Sequence, residues 1–211
     1  MTAVTRETVH EQLENHTIEV RLLQQTEHGR YLHLRCSNNG SSHMMFNVLA
    51  VPGRLMYFGD MGSYVFERTN DMIAWFGADN GRDPDFRYLA EKVIAQDKCD
   101  GLKQRSKARF KEALETYIDD EQEMGADLVK TVRLGINTLL NQWDELGPER
   151  AISEAMEFYI GPSHKPTFQF LELWDFSFDE YTDQFLWACH AIRWAIGKWC
   201  EAAKEMECAG A

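Results

Sequence analysis

Seven histidines, five cysteines and one aspartate-rich loop are the residues of this chain whose types could do chemistry. Histidine titrates near neutral pH and ligates metals, so its spacing matters most. His10, His16, His28, His33, His43, His164 and His190 form no HxH or HExxH pattern, and helical zinc sites are built on such short spacings. The cysteines Cys36, Cys99, Cys189, Cys200 and Cys208 are an odd set with no CxxC pair. They read as reduced thiols acting as small apolar core residues. Asp79-Asn80-Gly81-Arg82-Asp83-Pro84-Asp85 has the outline of a calcium loop but lacks the ordered oxygen ligands and the closing glutamate. Capping and turn formation account for it. Nucleophile elbows, P-loops and dinucleotide fingerprints do not occur. The expectation is a non-enzymatic protein with no cofactor and no metal.

Binding candidates remain. His33 shares a strand face with Tyr31 and Arg35, and His43 follows a loop later, so the outer sheet face could hold a phosphate-like group. Gly59-Asp60-Met61-Gly62 is a hairpin turn whose glycines accept positive φ and leave the backbone bare, with Asp60 and Met61 at its tip. Arg68 and Asp71 stand at the following strand-to-helix corner, where local hydrogen bonds or ion pairs are expected. An enzyme or small-ligand or nucleotide binder using this face and turn is the alternative reading.

The elements that position these residues follow from periodicity. Thr5 caps a short helix with Val9 and Leu13 on one face, and Asn15-His16 ends it. Ile18, Val20 and Leu22 then alternate with Glu19 and Arg21, the pattern of a half-buried strand. A turn at Glu27–Arg30 leads to Leu32, Leu34 and Cys36, again alternating. Asn38–Ser42 is a loop by composition. Met44–Val51 and Leu55–Phe58 flank Pro52-Gly53, the two central residues of a type II turn. Tyr64–Glu67 completes a five-stranded antiparallel meander over residues 17–67.

Beyond residue 68 the chain reads as helix. Asn70 caps a segment with Met72, Ile73, Trp75 and Phe76, and Asp83-Pro84 opens one with Phe86, Leu89, Val93 and Ile94 inward. Lys103, Arg105, Lys107, Arg109 and Lys111 precede Glu112, Glu115, Asp119, Asp120, Glu121 and Glu123 on one predicted helix. That order opposes the macrodipole. Leu128, Val132, Ile136, Leu139 and Trp143 form the next stripe. A helix after Gly147-Pro148 has Ile152, Met156 and Tyr159 inside, and Phe168–Trp174 reads as a short strand. The last helix starts at Phe178, with Ser177 and Glu180 as a capping box and Phe176 and Tyr181 as a hydrophobic staple. Trp187 and Trp194 occupy its second apolar side, the mark of a core helix or a homodimer interface, with His190 between them. The fold class is α+β: a single domain of 211 residues, an N-terminal sheet packed against a helical half on one shared core.

Hydrophobic residues are 44% and charged residues 27% of the chain, ordinary for a folded protein. No apolar run reaches the ~20 residues that span a bilayer, and the first 25 residues lack the apolar core of a secretion signal. A cytoplasmic protein without membrane contact is expected. Net charge is −12, with 14 acids and 14 bases in residues 1–110 against 20 acids and 8 bases in 111–211. This disfavours direct nucleic-acid binding, which needs a basic footprint. An acidic face with Asp119, Asp120, Glu121 and Glu123 suits a basic partner, including a protein surface that normally holds DNA.

Two segments carry a resemblance. Phe46-Asn47-Val48-Leu49-Ala50-Val51-Pro52-Gly53-Arg54-Leu55 runs on through Gly59-Asp60-Met61-Gly62-Ser63-Tyr64-Val65-Phe66-Glu67-Arg68 to Asp71-Met72. The other is Phe185-Leu186-Trp187-Ala188-Cys189-His190-Ala191-Ile192-Arg193-Trp194-Ala195-Ile196. Together they resemble uncharacterised proteins of temperate bacteriophages and prophages. The resemblance implies a setting, a phage accessory protein working inside a bacterial host. It points to binding and inhibition of a host protein in the manner of an anti-CRISPR or anti-restriction factor.

Overall fold

Pro52-Gly53 makes the turn its residue types dictate, with Gly53 at φ +83°, and it joins the two central strands of a six-stranded antiparallel sheet. The structure, a computed structural model, describes residues 3–77, 83–98, 101–120 and 124–209, except the side chains of Asp120 and of residues 205–209. The sheet order follows the chain: β1 (Thr17–Thr26), β2 (Gly29–Ser37), β3 (Phe46–Val51), β4 (Arg54–Gly59), β5 (Gly62–Glu67) and β6 (Val93–Gln96). Five strands were expected. The sixth comes from a segment that reads as helix, because α3 (Phe86–Glu91) stops early and Val93 and Ala95 pair with Phe66 and Val65. The N-cap of α3 is Asp85, whose carboxylate accepts from Tyr88 N at 3.0 Å, not Asp83.

Two further pairings are short: β7 (Lys103–Arg105) with β10 (Asp179–Tyr181), and β8 (Tyr159–Ile160) with β9 (Phe168–Gln169). The remaining helices are α1 (Arg6–Gln12), α2 (Met72–Gly77), α4 (Lys107–Asp120), α5 (Ala126–Leu146), α6 (Pro148–Met156) and α7 (Asp183–Ala209), with a 3-10 turn at Leu173–Asp175. Lys103 and Arg105 thus belong to a strand and not to the helix with Glu112. The last helix begins five residues later than expected. Thr182 caps it by accepting from Phe185 N at 3.3 Å, whereas Ser177 and Glu180 form no capping box there. Asp71, not Asn70, caps α2.

The chain divides into two compact units, Met1–Leu102 with Tyr181–Ala211 and Lys103–Glu180. The buried apolar residues likewise form two clusters where the sequence led us to expect one. In the first unit the inward rows of the sheet are Leu32, Leu34, Cys36, Phe46, Val48, Ala50, Leu55, Tyr57, Tyr64 and Phe66. Helix α7 covers them: Trp187 stands edge-on to Phe46 at 5.6 Å and Phe185 edge-on to Tyr64 at 5.5 Å. Burying rings of this size supplies about 1.5–3 kcal/mol each. Strand β1 is not half-buried. It is the sheet edge, with Val20, Leu22 and Leu23 all exposed and a bulge at Arg21 between Val20 and Leu22.

The second unit is held by Phe110, Leu114, Val132, Ile136, Leu139, Ile152 and Phe178, with Trp143 stacked on Phe110 at 5.1 Å. Met156 and Tyr159, expected inside, are exposed.

Candidate functional site

The residues singled out at the Gly59–Gly62 turn have local work. The Asp60 carboxylate accepts a hydrogen bond from Met44 N at 2.9 Å, and His43 Nδ1 lies 4.0 Å from the same oxygen. Met44 sits at φ +51°, so Asp60 fastens a strained loop against the turn. Met61 packs against the first core. Arg68 donates to the Tyr88 hydroxyl at 2.8 Å, and Asp71 accepts from Ala74 N at 2.9 Å. On the outer sheet face His33 Nε2 meets Asn47 Oδ1 at 3.0 Å and its ring tilts against Phe58. Arg35 lies on the same face, opposite Glu19 and Asn47. Leu49, Met56 and Val65 pair across the same face.

Trp187 is a core residue whose indole N–H donates to Gln12 Oε1 at 2.7 Å, and Trp194 is buried beside it on α7. Asp119 pairs with Arg133 at 3.6 Å. Glu121, Glu123 and the Asp120 side chain lie outside the described residues, as do Asp79–Arg82, Cys99 and the thiol of Cys208. Cys36 and Cys189 are buried, and burial pushes the Cys36 thiol up to about 12, which makes it a poor nucleophile. Among the described residues no group of three or more His, Cys, Asp or Glu is placed to hold a metal ion. No helix there is long and apolar enough to cross a membrane.

Two places were not found by sequence reasoning. The first, in the first unit, is a cavity of about 220 Å³ lined by Arg6 and His10 of α1, Pro84, and His190, Arg193, Trp194, Gly197, Lys198 and Glu201 of α7. Thr5 caps α1 in a capping box with Thr8, and this sets Arg6 and His10 one turn apart on one face. The α7 residues recur at intervals of three and four, the spacing of a single helical face, and that stripe was the available signal. His190 is 3% exposed and stands edge-on to Phe86 at 5.3 Å. Desolvation is the main cause holding its pKa below the ordinary histidine value. Asp83 opposes the shift, Arg193 and His10 add to it, and Glu7 opposes it.

The second place is the 3-10 turn of the second unit. Trp174 is 68% exposed there, beside exposed Leu171, Glu172 and Asp175. Glu172 holds φ +59°, a conformation that costs a non-glycine residue roughly 1 kcal/mol or more. The segment reads as a strand by its apolar density, but only Phe168 and Gln169 pair. Several cations of this unit are engaged locally: Arg105 with Glu149 at 2.9 Å and Asp179 at 3.0 Å, Lys107 with Asp144, Arg133 with Glu115, and Arg150 with Glu154. Each exposed pair contributes at most about 1 kcal/mol, yet together they neutralise bases in a unit that holds 16 acids and 9 bases.

Comparison of the chain with protein-family models, with curated proteins and with solved structures finds no match.

Proposed function

We propose that the chain is a phage-derived, non-enzymatic interaction protein that binds a protein of the bacterial host and inhibits it, as a counter-defence factor of the anti-CRISPR or anti-restriction kind. Trp174 carries this reading. A tryptophan two-thirds exposed on a turn at positive backbone φ leaves a large apolar area in water. Tryptophan is enriched among the residues that dominate binding energy at protein interfaces. Its neighbours Glu172 and Asp175 are exposed carboxylates, and they suit a partner pocket rimmed by lysine or arginine. The surplus of acids in the same unit extends the attraction to proteins built to hold DNA.

The experiment is capture of partners from host lysate on the immobilised protein, with Trp174→Ala as the control and duplex DNA as competitor. The side chain is exposed, so the variant should keep the parent melting temperature and lose the partner, at a cost of about 2 kcal/mol or more in binding. Duplex DNA should displace the captured protein. Equal capture by both proteins, or a captured set indifferent to DNA, would count against this function.

A further inference from the structure

We propose that the free edge of β1 pairs with the same edge of a second copy of this chain, antiparallel across a two-fold axis at Val20, so that two six-stranded sheets join into one. The proposal goes beyond the partner-binding reading and uses the other unit of the chain.

The first support is the edge itself. Among the described residues β1 is bonded on one side only, to β2, and stands last in the strand order. Half of its backbone N–H and C=O groups therefore point away from the sheet, and only another extended strand matches such a row as a set. Edges are commonly blunted by short length, by proline or lysine, or by a charge pointing inward. β1 has ten residues and neither Pro nor Lys. Its inward positions opposite buried Cys36, Leu34 and Leu32 are Ile18, Val20 and Leu23. Val20 is 47% and Leu23 56% exposed, so apolar area on the core side of the sheet stays in water at the rim. An open groove continues from Leu23 to Trp199, Cys200 and Ala203 of α7.

The second support is charge complementarity, and it selects a second copy as the occupant. Glu19 lies on the outward face opposite Arg35, and Arg21 reaches it at 2.7 Å. A two-fold axis at Val20 sets Glu19 of each chain against Arg21 of the other, so opposite charges meet twice. Moving the axis by one residue would oppose Glu19 to Glu19 or Arg21 to Arg21, and like charges directly across are destabilising. The bulge lets Arg21 and Leu22 together oppose one residue of β2. Repeated against the second copy, it brings the inward residues together in kind, Val20 on Val20 and Ile18 on Leu23. Ile18 of the second copy then stands at the mouth of the groove. Residues 1–110 hold 14 acids and 14 bases, so the acidic surplus of the chain does not fall on this part. Trp187 and Trp194, the residues expected at a dimer interface, are buried within one chain and take no part.

The test is sedimentation velocity and light scattering of the full chain over a range of concentrations. A reversible species of twice the chain mass is expected. Leu23→Lys, at an exposed site, should leave a monomer that melts as the dilute parent does. Glu19→Arg should weaken the dimer by about tenfold or more, because each contact occurs twice. Adding Arg21→Glu to that variant should restore the dimer. Val20→Cys should cross-link under mild oxidation, since residues directly opposite on antiparallel strands stand at the separation of a disulfide. Thr26→Cys, at the far end of the strand, should cross-link no more than the parent. A chain monomeric at every concentration, or a dimer indifferent to Leu23→Lys, would overturn the proposal. So would a double exchange no tighter than Glu19→Arg alone, or cross-linking at residue 26 equal to that at residue 20.

Discussion

The indole N–H of Trp187 donates to the side-chain oxygen of Gln12 at 2.7 Å, tying the end of α1 to the beginning of α7 across 175 residues of chain. The indole is 2% exposed, so its N–H has no ready replacement in water. Removing the acceptor leaves a buried donor unsatisfied, which costs about 1–3 kcal/mol. Gln12→Ala is therefore expected to lower the free energy of unfolding by that amount, read as a lower urea midpoint at unchanged slope. In a double-mutant cycle with Trp187→Phe, the two losses should fall short of adding up. Additive losses would show that the hydrogen bond contributes nothing.

Gly59 and Gly53 are expected to respond to alanine for different reasons. A Cβ at Gly59 would lie 2.6 Å from Phe46 Cα and press on the Met45 carbonyl oxygen, so backbone must move. Gly59→Ala should cost about 3 kcal/mol, the upper range for overpacking. A Cβ at Gly53 meets nothing within 4 Å, but φ is +83°, and the left-handed conformation costs about 1–2 kcal/mol. Thermal melts that rank Gly53→Ala as the more harmful would contradict the close approach of β3 and β4 at Gly59.

The stability of the chain should fall as pH drops below about 6.5, the ordinary histidine value. Burial holds both His16 and His190 below that value; His16 is also lowered by His43 and partly restored by the Met44 carbonyl, and the groups acting on His190 are Asp83, Arg193, His10 and Glu7. The folded chain resists the protons that the unfolded chain accepts. Stability is thus fully present above about 6.5 and is lost as pH falls through the native values. Urea midpoints at pH 7.5 and 5.5, in buffer without phosphate, measure the drop. His190→Gln should shrink it, and an equal drop in that variant would assign the effect elsewhere.

Much of the sheet was legible in the sequence because alternation and turn chemistry are local. Leu32, Leu34 and Cys36 face inward as their spacing requires, and Pro52-Gly53 turns as its residue types require. Val93 and Ile94 mislead because their spacing from Phe86 and Leu89 fits a helix; the free edge of β5 decides the matter, and a single segment carries no record of that edge. Val20 and Leu22 mislead for the converse reason. Alternation says that a strand could bury one face, but not that it stands at the rim of the sheet. The cavity between α1 and α7 joins residues 6 and 10 to residues 190–201, so only half of it, the stripe on α7, is visible in sequence order. Trp174 was hidden by its own apolarity, since exposure of a tryptophan is a tertiary property.

The division of the chain also sets an order of events during synthesis. Residues 103–180 leave the ribosome with every side chain of their own core in hand. The first unit, begun earlier, cannot close until α7 emerges, because Phe185, Trp187, Ile192 and Ile196 fill its centre. The unit translated first is therefore completed last, and its inward sheet face stays open to water or to a chaperone in the interval. The join is short: Thr182 N donates to the Leu102 carbonyl oxygen at 3.1 Å, so the chain leaves for the 78 residues of the second unit and returns from them at neighbouring points, as with an inserted segment.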